Sequence, residues 1–96
     1  MSASLSTHVL DTGAGVPAEG VLIELRRGDA LLAELRTDAD GRARLADELE
    51  PGTYRLAFRP PSPFFTRVEL EVELGDGHHH VPLLVSPYSC ASYRGS

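Results

Sequence analysis

From residue 65 to 74, apolar and charged positions alternate: Val68, Leu70, Val72 and Leu74 are interleaved with Arg67, Glu69, Glu71 and Glu73. A period of two predicts a strand with one buried and one wet face. Val21, Ile23 and Leu25 alternate with Leu22, Glu24 and Arg26, and Tyr54, Leu56 and Phe58 with Arg55, Ala57 and Arg59. Shorter candidates are residues 5–10, 31–36, 42–45, 79–85 and a piece near Ser92.

Turn residues punctuate these runs at the spacing of an all-β domain. They are the loop 13–20, the tight turn Arg27-Gly28-Asp29, residues 37–41 ending in Gly41, Glu50-Pro51-Gly52, and Gly75-Asp76-Gly77. Pro60, Pro61 and Pro63 forbid helix after Phe58. The one helix-leaning window, 45–49, is too short and too near Pro51 to stand alone. Seven or eight short strands without a crossover helix predict an antiparallel β-sandwich.

A length of 96 residues bounds this to a single domain, residues 1–96. So small a domain leaves roughly 35–40% of its unfolded-chain surface exposed, which favours oligomerisation. The 42% hydrophobic content suffices for a core. Nine basic against 14 acidic residues give a net charge of −5, the wrong sign for a nucleic-acid binder. The longest apolar run, 81–85, contains a proline and falls far short of a membrane span. The opening residues lack the basic start and apolar stretch of a secretory leader, so a cytoplasmic address is expected. One cysteine, Cys90, permits neither an internal disulfide nor a multi-thiolate metal site, and reads as a packing residue.

His8, His78, His79 and His80 are the residues richest in chemistry. Alternation places Val81, Leu83 and Val85 on a core face and His80, Pro82 and Leu84 on the opposite one, a mixture that suits an interface or pocket wall. A solvated histidine run beside a turn is the plainer reading. A third uses His78 and His80, about 6.6 Å apart on one face at the strand rise of about 3.3 Å, with His8 as a three-histidine zinc site. Arg42 follows Asp40-Gly41 at the start of a strand, and Tyr93-Arg94-Gly95-Ser96 would bring a tyrosine, an arginine and a carboxylate together if folded.

Together these pieces resemble the transthyretin-like family. The resemblance rests on residues 5–11 (LSTHVLD) with Gly15, Pro17, Ala18, Gly20 and Val21, on residues 78–84 (HHHVPLL) with Ser86-Pro87-Tyr88, and on Tyr93-Arg94-Gly95-Ser96. It spans nearly the whole chain. Within the family, His8, Arg42, His80 and the terminal Tyr-Arg-Gly-Ser are similar to the hydrolytic branch, and the hormone-carrying branch lacks that set. Three departures stand out. Residues 60–63 leave no room for the short helix common in the family, Thr66 replaces the Pro that often follows Phe-Phe, and Cys90-Ala91 stand where an aromatic is usual.

The resemblance implies an enzyme of urate catabolism that opens the ring of 5-hydroxyisourate to 2-oxo-4-hydroxy-4-carboxy-5-ureidoimidazoline. It implies His8, Arg42 and His80 as catalytic residues, and His8, Arg42, Tyr93, Arg94, Gly95 and Ser96 as substrate-binding ones. No metal or cofactor is implied. One of His8 and His80 is then the general base, with His8 placed as base and His80 as the orienting group. Arg42 offers a planar fork to the substrate's oxygen. Tyr93 gives a wall and a hydroxyl, and Ser96 can hold Arg94 or a ring nitrogen. The family's assembly is a homotetramer, two sheet-edge dimers packed face to face with active sites between them. No nucleic-acid or membrane partner is expected. Two other classes share the architecture: a carrier that binds without catalysis, and a monomeric interaction module.

Overall fold

The computed structural model describes residues 1–95, which form two sheets closed over one hydrophobic cluster. In chain order the strands are β1 (Ala3–Asp11), β2 (Val16–Pro17), β3 (Leu22–Arg27), β4 (Ala30–Arg36), β5 (Arg42–Leu49), β6 (Gly52–Phe58), β7 (Val68–Leu74), β8 (Gly77–His80), β9 (Leu83–Ser86) and β10 (Ser89–Ser92). One sheet runs β10-β9-β1-β2, with β5 and β8 also paired to β1; the other runs β4-β3-β6-β7. No helix occurs among the described residues, so none is long and apolar enough to cross a membrane. The all-β, transthyretin-like sandwich is the architecture the alternation predicts.

The core faces follow the period of two. Leu5, Thr7 and Val9 of β1 point inward between the half-buried Ser4, Ser6 and His8. They meet Ile23 and Leu25 of β3, Tyr54, Leu56 and Phe58 of β6, and Leu83 and Val85 of β9. Tyr54 keeps its hydroxyl satisfied by donating to the Glu50 carbonyl, while Arg27 lies 5.1 Å over its ring.

The structure corrects the expected arrangement in four respects. Pairing is not antiparallel throughout, because the chain crosses between sheets after β7 and β8 and β9 then lie parallel to β1. The strand expected over 79–85 is two strands, because Pro82 has no N–H for the ladder; Thr7 Oγ1 donates to the Val81 carbonyl at the break, 2.6 Å away. The helix-leaning window 45–49 is the second half of β5, and Val16–Pro17 within the expected loop adds a short bridge to β1. These changes bring the described strands to ten rather than seven or eight.

The expected loss of the family's short helix holds. Pro60, Pro61 and Pro63 leave a loop in which Ser62 Oγ accepts from Phe64 N (3.1 Å) and Phe65 N (2.9 Å) and donates to the Pro87 carbonyl (3.0 Å). One hydroxyl thus ties the loop to the far sheet and organises Phe64 and Phe65, whose rings meet edge to face.

Candidate active site

The strand register gathers the first three candidate residues. On β1 the wet face presents Ser4, Ser6 and His8 in succession. His8 is the direct cross-strand partner of Arg42 on β5, and Ser6 sits between Arg44 of β5 and His80 of β8. His78 lies opposite Ser4. His8, Arg42, His78 and His80 therefore share one side of a sheet, although His8 and His80 are 72 positions apart in the chain. Arg42 and His78 are exposed, whereas His8 and His80 are half-buried.

The turn before β5 fixes two of these groups. Asp38 Oδ1 accepts from Asp40 N and Arg42 N, both at 2.9 Å, a carboxylate cap on the tight turn. Gly41 adopts φ +76°, where a Cβ would come within 2.4 Å of the Val9 carbonyl oxygen, so glycine is required. The turn also leaves the Asp40 carbonyl 2.8 Å from His8 Nε2. A carbonyl has no proton to give, so Nε2 carries the hydrogen and neutral His8 has its lone pair on Nδ1.

On the other flank, Ser6 Oγ lies 2.9 Å from both His80 Nδ1 and His78 Nε2, and Ser4 Oγ lies 2.7 Å from His78 Nδ1. Since His80 Nδ1 is engaged, Nε2 is its atom for chemistry. The His80 pKa is lowered from the ordinary 6.5, first by burial and then by the positive potential of His8, Arg42 and His78. An open groove of about 460 Å³ runs along this face, lined by Ser6, Thr7, Asp38, Arg42, Ala43, Arg44, His78 and His80.

The C-terminal candidates divide. Gly95 bridges to His80, its N–H donating to the His80 carbonyl at 2.7 Å. Tyr93 and Arg94 instead line a second cleft, about 510 Å³, with Leu70, Leu74, His79, Val81 and other residues of the β7–β8 side. Ser96 lies outside the described residues. The expected outward set of His80, Pro82 and Leu84 is also revised, since Pro82 is buried. Among the described residues, no three His, Cys, Asp or Glu side chains form a metal-binding group, so the three-histidine zinc arrangement is not assembled. Burial pushes the Cys90 thiol up, in keeping with its place against the core.

Asp38, Ser4 and Ser6 were not singled out from the sequence. Asp38 is signalled by its place at the start of an Asp-x-Asp-Gly turn. The two serines occupy the same alternating face as His8, but only the β1–β8 register shows that they meet His78 and His80.

A two-sheet sandwich of this topology is that of a transthyretin-like protein, and the chain belongs to the HIUase/Transthyretin family, whose model matches residues 5–95. It is 45% identical to the 5-hydroxyisourate hydrolase of Caulobacter vibrioides, over 96% of this chain and 97% of that protein. The solved 5-hydroxyisourate hydrolase of Klebsiella pneumoniae superposes with a TM-score of 0.90 at 38% identity, covering 100% of both chains. Sea bream transthyretin in complex with thyroxine superposes at 0.83 with 26% identity, over 95% of this chain and 93% of that one. Both comparisons place the chain nearer the hydrolases than the carrier.

Proposed function

We propose that this chain hydrolyses 5-hydroxyisourate, breaking a cyclic amide C–N bond to give 2-oxo-4-hydroxy-4-carboxy-5-ureidoimidazoline. The observation that carries the reading is the register of β1, which sets His8 opposite Arg42 and brings His80 beside Ser6 on the same face. Near-full-length likeness to proteins named for this activity supports it.

In the mechanism, water attacks a ring carbonyl carbon and a ring nitrogen departs. His80 Nε2 takes the water proton, because burial and surrounding positive charge keep this imidazole unprotonated at neutral pH. This reverses the expected assignment of His8 as base. His8 is locked by Asp40 as an Nε2 donor and serves to orient the substrate. The exposed Arg42 guanidinium opposite it stabilises the oxyanion formed on attack. Gly95 backs the His80 ring, and Tyr93 and Arg94 hold no step in this scheme.

The assembly belongs to the same proposal: a cytoplasmic homotetramer whose open groove is closed by another copy. The terminal strands β7 and β10 support it by offering free sheet edges for pairing.

The test follows freshly generated 5-hydroxyisourate in the ultraviolet with and without EDTA-treated protein. Decay faster than the spontaneous rate, lost in Arg42→Ala and His80→Ala, is the expected result. Spontaneous decay throughout, with saturable binding of the substrate, would replace the hydrolase with a carrier.

A further inference from the structure

We propose that Ser6, His78 and Ser4 form a proton relay that carries the proton taken by His80 out to solvent. The inference rests on the hydrolytic reading above and assigns work to three residues outside it. Its basis is the unbroken run of short contacts His80 Nδ1–Ser6 Oγ–His78 Nε2, followed by His78 Nδ1–Ser4 Oγ, at 2.9, 2.9 and 2.7 Å.

The Ser6 hydroxyl has one hydrogen, so it donates to one imidazole and accepts from the other. Two arrangements satisfy the chain. In the first, His80 Nδ1–H donates to Ser6, Ser6 donates to His78 Nε2, and His78 Nδ1–H donates to Ser4. His80 Nε2 then carries a lone pair and is a base. In the second, every proton has moved one place: His78 Nε2–H donates to Ser6, Ser6 donates to His80 Nδ1, and His80 Nε2 carries the hydrogen. The two arrangements are the base and acid forms of the atom facing the groove, and both leave His80 electrically neutral.

That neutrality matters here. His80 is surrounded by His8 on β1, Arg42 and Arg44 on β5, and His78 on β8, with the Asp38 carboxylate also lining the groove. A lasting imidazolium in that setting is disfavoured. Taking a proton at Nε2 while releasing one at Nδ1 avoids it.

The stoichiometry requires an exit. The attacking water brings two protons. The one taken by His80 leaves through the relay, and the other passes from the tetrahedral intermediate's hydroxyl to the departing ring nitrogen as the C–N bond breaks, so the new carboxyl group, with a pKa of about 4, forms as the carboxylate it must be at neutral pH. The exposed His78 ring is where the relay meets bulk water, and the half-buried Ser4 holds its second nitrogen in line.

The experiment measures kcat, KM and their dependence on buffer concentration for wild type, Ser6→Ala, Ser6→Thr and His78→Gln. Ser6→Ala lowers kcat by about tenfold with KM little changed, a fraction of what a general base contributes. Ser6→Thr keeps the hydroxyl and restores the rate. His78→Gln can hold a hydrogen bond but cannot pass a proton, so it behaves as Ser6→Ala; a purely positioning role predicts that it behaves as wild type. High concentrations of imidazole buffer rescue Ser6→Ala and His78→Gln by carrying the proton directly. Wild-type kcat in Ser6→Ala, or a loss that imidazole leaves untouched, overturns the relay while the hydrolase reading stands. A wild type without activity overturns the hydrolase reading, and the relay falls with it. Circular dichroism melting confirms that each variant compared is folded; should Ser6→Ala melt early, the Thr and Gln variants decide.

Discussion

Gly95 lies so close to His80 that a Cβ on it would fall 2.8 Å from His80 Cδ2 and 3.2 Å from its Cβ. The contact explains why a glycine stands where the chain crosses the back of the His80 imidazole. Gly95→Ala should therefore tilt the ring or push the terminal segment away. We expect kcat/KM to fall about 10- to 100-fold, the penalty for displacing a reacting group by around an ångström. The melting temperature should hardly change, since the residue lies beyond the last strand. Steady-state kinetics beside a thermal melt checks both halves.

Arg42→Ala should lower kcat about 100-fold or more, the usual cost of removing one donor from a developing oxyanion. Arg42→Lys should recover only part of it, because an ammonium lacks the planar fork. Equal rates for the Lys variant and wild type would reduce the role of Arg42 to that of a point charge.

The acid limb of the kcat/KM profile should lie below pH 6.5, because the His80 pKa is lowered from 6.5 by burial and by the charges of His8, Arg42 and His78. Removing the Arg42 charge should move the limb upward in the residual activity of Arg42→Ala. Stability follows the same sign. A histidine whose folded pKa lies below its unfolded value of 6.5 contributes fully above pH 6.5, and that contribution is lost as pH falls through the folded pKa. His80→Gln should therefore flatten the decline of melting temperature on acidification.

Thr37 is buried and makes two backbone bonds at once, accepting from Val21 N at 2.9 Å and donating to the Ala18 carbonyl at 2.6 Å. Thr37→Val keeps the shape and strands both groups, which should cost about 2 kcal/mol. In a domain this size that lowers the melting temperature by roughly 10 °C, compared at equal protomer concentration. Thr37→Ser should restore most of it.

The strand content was legible because its signal is local. Val68, Leu70, Val72 and Leu74 alternate with glutamates whatever lies across from them, and the Asp40-Gly41 turn carries its own chemistry. Pairing direction is not local. Nothing in the alternation of β1 or β8 distinguishes parallel from antiparallel neighbours, and the helical leaning of residues 45–49 yielded to the ladder with β1. The candidate face was half legible. His8, Arg42 and His80 were found through resemblance, and the geometry does bring them together. Ser4 and Ser6 read as ordinary polar positions until the β1–β8 register set them against imidazoles. The direction taken by Tyr93 and Arg94 depends on how the segment after β10 crosses β8, a tertiary choice with no sequence periodicity.

The parallel pairing of β1 with β8 also bears on how this enzyme comes into being. The hairpins β3–β4 and β6–β7 close over short spans and can form as soon as they are synthesised, whereas the Ser6–His80 contact joins residues 74 positions apart. β1 must therefore wait for β8 before both its edges are covered. Until then, β5 covers one edge of β1 while the edge that β8 will take stays open, and open strand edges are what chaperones engage. No fragment that stops before β8 carries the His80 side of the groove, so that face is assembled only once β8 has joined β1.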